Sequence, residues 1–291
     1  MRRTSPRTLG ISLLDGLEPL TEAVRQKQLI LFVGGGASQN LGLPGFTALA
    51  EHLTQELGTE QPSLQYPDYP IIAEAYLLKH GKLGPLRSWM DRTWHPNSIS
   101  ITDSELHRLI VEIGFSTIYT TNYDRWLERA FEQYKKPFHK ISNMADLTQH
   151  VEGATEIIKF HGDFEDDESL VLTESSYFQR MLFESPLDLR LRSDSLARPI
   201  LFIGYSLHDI NIRYLLFRLQ ELWRNSVYSS QRPLSYIVMN QHDLAQESVL
   251  CSRGVIPVVL ENMDAGAAAT CFLRELKRSA SRSKPKKSPS S

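Results

Sequence analysis

A Rossmann-like α/β fold, a doubly wound parallel sheet of about six strands, is predicted by three features of this sequence. Short apolar runs rich in β-branched residues alternate along the chain with stretches of helical periodicity. The first run, Leu29-Ile30-Leu31-Phe32-Val33, passes directly into Gly34-Gly35-Gly36-Ala37-Ser38. One run after another ends in small or polar residues, at the strand tips where such sheets bind ligands. With 291 residues and 41% hydrophobic content, the chain has enough material for one large domain carrying a small inserted module.

The elements follow in order. Residues 29–33 read as the first strand. A helix over 45–57 places Phe46, Leu49, Leu53 and Leu57 on one face. Residues 60–113 read as an inserted helical module, with helices near 70–80, 83–94 and 103–113. Residues 116–119 form a strand, followed by the polar turn Thr120-Thr121-Asn122-Tyr123-Asp124 and a helix to about Tyr134. Glu156–Phe160 is a strand ending at His161-Gly162-Asp163, and residues 174–197 read as one helix. Pro199–Ile203 is a strand ending in Gly204-Tyr205-Ser206-Leu207, and the helix over 208–222 turns Ile212, Leu215, Leu216 and Leu219 to the core. Leu234–Met239, with Asn240 at its tip, and Val255–Leu260 are the last strands, and a final helix covers 264–277. One catalytic domain is expected over 9–276, with a disordered basic tail over 277–291.

The triple glycine lets the backbone approach a bound group and aim several N–H donors one way, a nest suited to phosphate at a helix N-terminus. It is not a Walker loop, because no Gly-Lys-Ser/Thr follows, and Gln39 stands where a dinucleotide fingerprint has its third glycine. A tight strand-to-helix turn of an ordinary α/β protein is the plain alternative. Asn122 and Asp124 likewise fit a turn former and a helix cap, and His161 fits a satisfied turn histidine. Asp209 reads as a helix cap, the acidic run at 165–168 as a solvated loop, and Trp89 and Trp94 as core.

Charge and cysteine content narrow the class. The formal charge is −2, but nine basic groups lie in residues 1–8 and 277–291, leaving 23 basic against 34 acidic groups between them. An acidic body does not suit a nucleic-acid binder. The basic end reads as solubilising, with a partner or nucleic-acid arm as the alternative. Two cysteines, Cys251 and Cys271, cannot build a four-thiolate zinc site and are expected free in a reducing compartment. No apolar run reaches membrane-spanning length, and MRRTSPRT lacks the apolar segment of a signal peptide, so a cytoplasmic protein is expected.

The ordered segments GGGAS–GLPGF, TTNYD, HG and GYS resemble the sirtuin family, whose pattern reads GAGIS…GIPDFR, TQNID, HG and GTS. The resemblance covers roughly residues 29–260. It implies a protein that binds NAD and breaks its nicotinamide–ribose bond without a metal. It places Gly34, Gly35, Gly36, Ala37 and Ser38 along the pyrophosphate and Phe46 near the nicotinamide ribose. It places Asn122 and Asp124 at the ribose and nicotinamide end, His161 as general base, Gly204 and Ser206 at the adenosine side, and Asn240 at its ribose. The zinc module and the V-x-F-G-E-like peptide segment of protein-deacylating sirtuins are missing, and Gly45 and Thr47 replace the Asp and Arg of GIPDFR. The chain therefore resembles the divergent sirtuin-like effectors of bacterial antiphage defence, which hydrolyse NAD to ADP-ribose and nicotinamide in abortive infection. In them the residues matching Asn122 and His161 are the catalytic pair. A NAD-dependent deacylase or ADP-ribosyltransferase, and a non-catalytic NAD or ADP-ribose sensor, are the alternatives. An unrestrained NAD hydrolase would poison its own cell, so the resemblance also implies a trigger outside the chain. Homo-oligomerisation is expected, with a HerA-type ATPase as the favoured partner and an Argonaute-type protein as the alternative.

Overall fold

A computed structural model describes residues 13–58, 69–182, 184–205 and 209–282. In chain order the elements are α1 (Leu13–Arg25), β1 (Ile30–Val33), α2 (Gly35–Gln39), α3 (Phe46–Leu57), α4 (Tyr69–His80), α5 (Gly84–Trp94), α6 (Glu105–Ile113), β2 (Thr117–Thr120), α7 (Trp126–Gln133), β3 (Phe138–Ile141) and β4 (Thr155–Lys159). They continue as α8 (Glu174–Arg180), α9 (Pro186–Ala197), β5 (Ile200–Ile203), α10 (Ile210–Arg224), β6 (Ser235–Met239), α11 (Leu244–Ser252), β7 (Val255–Val259) and α12 (Ala265–Ser281).

The strands form one seven-stranded sheet in the order β3-β4-β2-β1-β5-β6-β7, every pair parallel. The expected doubly wound sheet is present, with one strand more than expected. Strand periodicity explains its two-sided core. Leu31, Val33, Ile118, Ile157, Leu201 and Ile203 point to one face, which packs with Leu49, Leu53, Leu106, Ile110, Phe272 and Leu276 from the flanking helices. Ile30, Phe32, Tyr119, Ile158, Ile200 and Phe202 point to the other, against Leu191, Ile212, Leu215, Leu216 and Leu219. The alternation within each run produces three layers. The direction of the chain away from β1 reverses between β1 and β5, which opens a crevice at the strand tips.

Several elements depart from expectation for local reasons. The helix expected over 174–197 is two helices, α8 and α9. Ser185 caps α9 through a reciprocal pairing with Asp188, and Pro186 occupies its first turn. The last helix runs to Ser281, so residues 277–281, expected in the basic tail, are helical, and Lys277 Nζ lies 2.7 Å from Glu112 Oε2. Residues 283–291 lie outside the described residues. In the inserted module, α6 packs against α12 and α7, as a crossover helix of the sheet does. The end of α5 is pinned by specific bonds: Trp94 Nε1 donates to Pro44 O at 2.8 Å, and Arg125 N donates to His95 Nε2 at 2.9 Å, while α4 packs against α3 and α8. The acidic run is not merely solvated, since Arg87 pairs with Asp167 at 2.7 Å and Lys140 with Glu165 at 2.6 Å. Trp94 is buried as expected, and Trp89 stacks on His52. Among the described residues no helix is long and apolar enough to cross a membrane.

Candidate nucleotide-binding and catalytic site

A cleft of about 1000 Å³ opens where β1, β2, β4, β5 and β6 end, at the upper end of the range for small-molecule sites. Gly35, Gly36, Phe46, His161, Gly204 and Asn240 of the expected site line it. Gly34, Ala37, Ser38, Asn122 and Asp124 form a layer behind that lining. Ser206 and His208 lie outside the described residues.

The three glycines have different jobs. A side chain on Gly34 would collide with the carbonyl of Gly204 and the ring of Tyr205. A Cβ on Gly36 would stand 2.9 Å from Gly204 Cα. Gly204 itself has φ +57, a left-handed conformation that glycine adopts at little cost. Gly36 N donates to Gly204 O at 2.8 Å and Ala37 N to Gly34 O at 3.1 Å. Of the expected phosphate nest, Gly36 N is therefore spent joining the β1 and β5 tips, and Ala37 N closes the turn on itself. Gly35 differs: its Cβ would meet only Asn122 Oδ1, at 4.0 Å, and it lines the cleft.

Asn122 is buried behind this turn. Its Nδ2 donates to Gly34 O at 3.2 Å and to Ser38 Oγ at 3.1 Å. Ser38 Oγ donates to Asp124 Oδ2 at 2.7 Å, and Asp124 Oδ1 accepts from Trp126 N at 3.2 Å. Thr120 Oγ1 bridges Asn122 N and Val33 O. The expected substrate contacts Ser38 and Asp124 thus orient Asn122 and begin α7, and the Asn122 amide group is fixed beside Gly35.

His161 stands at the tip of β4, 2% exposed, in the cleft wall. Its Nε2 lies 3.3 Å from Asp209 Oδ2 but is not aligned for a hydrogen bond and has no hydrogen-bond partner. Burial pushes the imidazole down to about 4, outweighing the Asp209 carboxylate, which pulls it up. At neutral pH the ring is neutral and able to accept a proton. Asp209 performs its expected cap, accepting from Asn211 N, while its other oxygen faces His161 and accepts from Tyr205 OH at 3.0 Å.

Sequence reasoning missed the aromatic wall. Tyr177 packs edge-on to His161, with ring centroids 5.4 Å apart, and its hydroxyl bonds that of Tyr69. Phe46 stacks on Tyr69 at 4.9 Å, and Tyr69, Pro70 and Ile71 at the start of α4 complete that side of the cleft. Burial raises Tyr177 and Tyr205 well above ordinary phenol values, so both stay neutral donors. Gln39, at the place of the absent third glycine, covers Gly45 and lines the cleft. Asn240 Nδ2 donates to Met263 O at 3.3 Å, and the residue lines the cleft. Among the described residues no group of three or more His, Cys, Asp or Glu could hold a metal ion.

The parallel sheet and its switch point gather the glycine, Asn and His strand tips around one crevice, of the kind in which open α/β sheets bind ligands. Residues 116–258 match the family described as the SIR2-like domain, so the chain carries the sirtuin-like resemblance expected from its motifs. The chain is 26% identical over 209 residues to the NAD(+) hydrolase ThsA of Bacillus cereus (strain MSX-D12), covering 71% of this chain and 43% of that one. It is 23% identical over 276 residues to the NAD(+) hydrolase ThsA of Acinetobacter baumannii (strain 532279), covering 89% and 55%. It is 25% identical over 230 residues to Defense-associated sirtuin 2 of Bacillus subtilis, covering 76% and 22%. The chain thus spans about half, or less, of the length of these curated relatives. A solved Sir2 homologue in complex with ADP-ribose shares the fold, with a TM-score of 0.52 at 13% identity, over 92% of this chain and 99% of that one.

Proposed function

We propose that this chain is a NAD hydrolase that cleaves the nicotinamide–ribose bond to give nicotinamide and ADP-ribose. One observation carries the reading: a buried, neutral histidine whose Nε2 has no hydrogen-bond partner faces a nucleotide-sized cleft beside a glycine turn. An unpaired buried nitrogen costs stability unless a ligand completes it. The names of the relatives, NAD(+) hydrolase, support the same substrate.

The proposed reaction needs little more than positioning. Nicotinamide leaves from the ribose carbon with the electron pair of the broken C–N bond, which neutralises its pyridinium ring. Water forms the new C–O bond to that carbon, and its proton passes to His161. Asp209 Oδ2 stabilises the imidazolium so formed. Asn122, its amide nitrogen committed to Gly34 O and Ser38 Oγ, presents its carbonyl side toward Gly35 and the attacking water or a ribose hydroxyl. The aromatic wall from Phe46 to Tyr177 keeps bulk water from the reacting centre.

We further propose that the activity depletes NAD in antiphage defence and is released by assembly, of this chain with itself and with a HerA-type ATPase or an Argonaute-type protein. The name of the Bacillus subtilis relative supports the defence setting. Incubating purified protein with NAD, alone and together with each proposed partner, and resolving the products tests the chemistry. Release of nicotinamide and ADP-ribose in equal amounts, without an acyl-peptide, is expected. Release only with an acyl-peptide supports a deacylase, and tight binding without release supports a sensor.

A further inference from the structure

Lys159 is the last residue of β4, two positions before His161, and its side chain is 0% exposed. Burying an ammonium is costly unless each of its donors finds a partner. Here the partners come from three separate segments. Nζ donates to Tyr123 O at 3.2 Å and to Asp124 O, in the loop that carries Asn122. It lies 3.3 Å from Glu128 Oε1 on α7 and 3.8 Å from Asp163 Oδ2, in the turn just after His161. The two loops leave adjacent strands that are in register, with Thr120 opposite Lys159.

We propose that Lys159 is a positioning residue, whose buried ammonium fixes the loop bearing Asn122 relative to the turn bearing His161. Consecutive carbonyls at the start of α7 turn inward, where only a buried donor can satisfy them. An apolar side chain of the same length would fill the space and leave both carbonyls unpaired. The loop would then rotate them toward water and carry Asn122 with it. Two carboxylates compete for this one cation. Burial raises the Glu128 carboxyl, which Lys159 pulls down again. Lys140 Nζ, 3.5 Å from Asp163 Oδ2, shares the second. The ammonium therefore links the two halves of the reacting site without touching either reacting side chain.

The kinetic arm rests on the NAD-hydrolase reading, and a second arm is independent of it. Lys159→Met alone strands Glu128 and Asp163 and is expected to lower the melting temperature. Lys159→Met with Glu128→Gln removes most of that imbalance while still deleting the clamp, and Glu128→Gln alone is the control. Amide hydrogen exchange in the full-length chain is followed over residues 122–126. In the double variant exchange there is expected to quicken about 10-fold or more while the sheet strands stay protected. The turnover number is expected to fall roughly 100-fold with KM within about threefold of wild type. Glu128→Gln alone is expected to keep wild-type exchange and turnover. Wild-type exchange over 122–126 in a folded double variant overturns the proposal, whatever the activity. Faster exchange with undiminished turnover overturns it as well. Failure of both Lys159→Met variants to fold also does so, because the ammonium would then hold the fold rather than one loop. A wild-type protein that releases no nicotinamide defeats the hydrolase reading and leaves the exchange arm to decide this one.

Discussion

His161 lies on the border between core and cleft, and that border sets what it can do. Burial keeps the ring neutral, and Asp209 faces the nitrogen that has no hydrogen-bond partner. His161→Ala is expected to lower kcat/KM by about 100- to 10,000-fold without unfolding the sheet, measured by nicotinamide release beside a thermal melt. Asp209→Asn keeps the cap on α10 but removes the carboxylate that steadies the imidazolium. It is expected to lower kcat about 10- to 100-fold with little change in KM. The sequence exposed half of this pair: His161 stood out at a strand tip, while Asp209 read only as a cap. Its second contact depends on how β4 and α10 meet, which no local pattern records. Lys159 was less legible still, because in Glu156–Phe160 it looks like an ordinary strand residue.

At the scale of elements, the turn after β1 is where sequence and packing give different reasons for the same residues. Glycines in a row suggest room for phosphate. In the structure Gly34 and Gly36 are small because the β5 tip at Gly204 crosses them, and of the three only Gly35 has room for a side chain. Two substitutions separate these roles. Gly34→Ala is expected to destabilise the protein by about 1–3 kcal/mol through overpacking, read from denaturant midpoints. Gly35→Ala is expected to leave stability nearly unchanged and to raise KM for NAD severalfold, because its methyl group would intrude on the cleft. The strands that were legible, β1, β2 and β4 to β7, each carry consecutive apolar residues, most of them buried. β3 was not, since Phe138-His139-Lys140-Ile141 is a half-exposed edge with no such run. α11 was missed for a similar reason: only Leu250 of its nine residues is buried. The break between α8 and α9 had a signal in Ser185-Pro186 and Asp188, which an uninterrupted run of Leu and Arg obscured.

Across the whole molecule, stability and activity are coupled through buried histidines. His107 and His161 are both buried, and burial pushes each from 6.5 to about 4. Above pH 6.5 the rings are neutral in folded and unfolded chains alike. Between 6.5 and about 4 the unfolded chain binds protons that the folded chain refuses, so stability falls as pH falls. Each ring is expected to remove on the order of 3 kcal/mol by pH 4, seen as a melting temperature that drops steadily through this window. His161→Ala or His107→Ala should flatten the drop by about half. The order of layers was readable from alternation within strands, but the attachment of α5 was not. It depends on single long-range bonds, from Trp94 to Pro44 and from Arg125 to His95, that join segments far apart in sequence.

In the proposed reaction His161 activates water against the sugar carbon of NAD. The most direct measurement is a time course of purified protein with NAD, following nicotinamide and ADP-ribose by chromatography, for the wild type and for a folded His161→Ala variant. The wild type is expected to form both products in equal amounts and the variant essentially none. Equal rates from the two proteins, or NAD left intact by the wild type both alone and with each proposed partner, would contradict it.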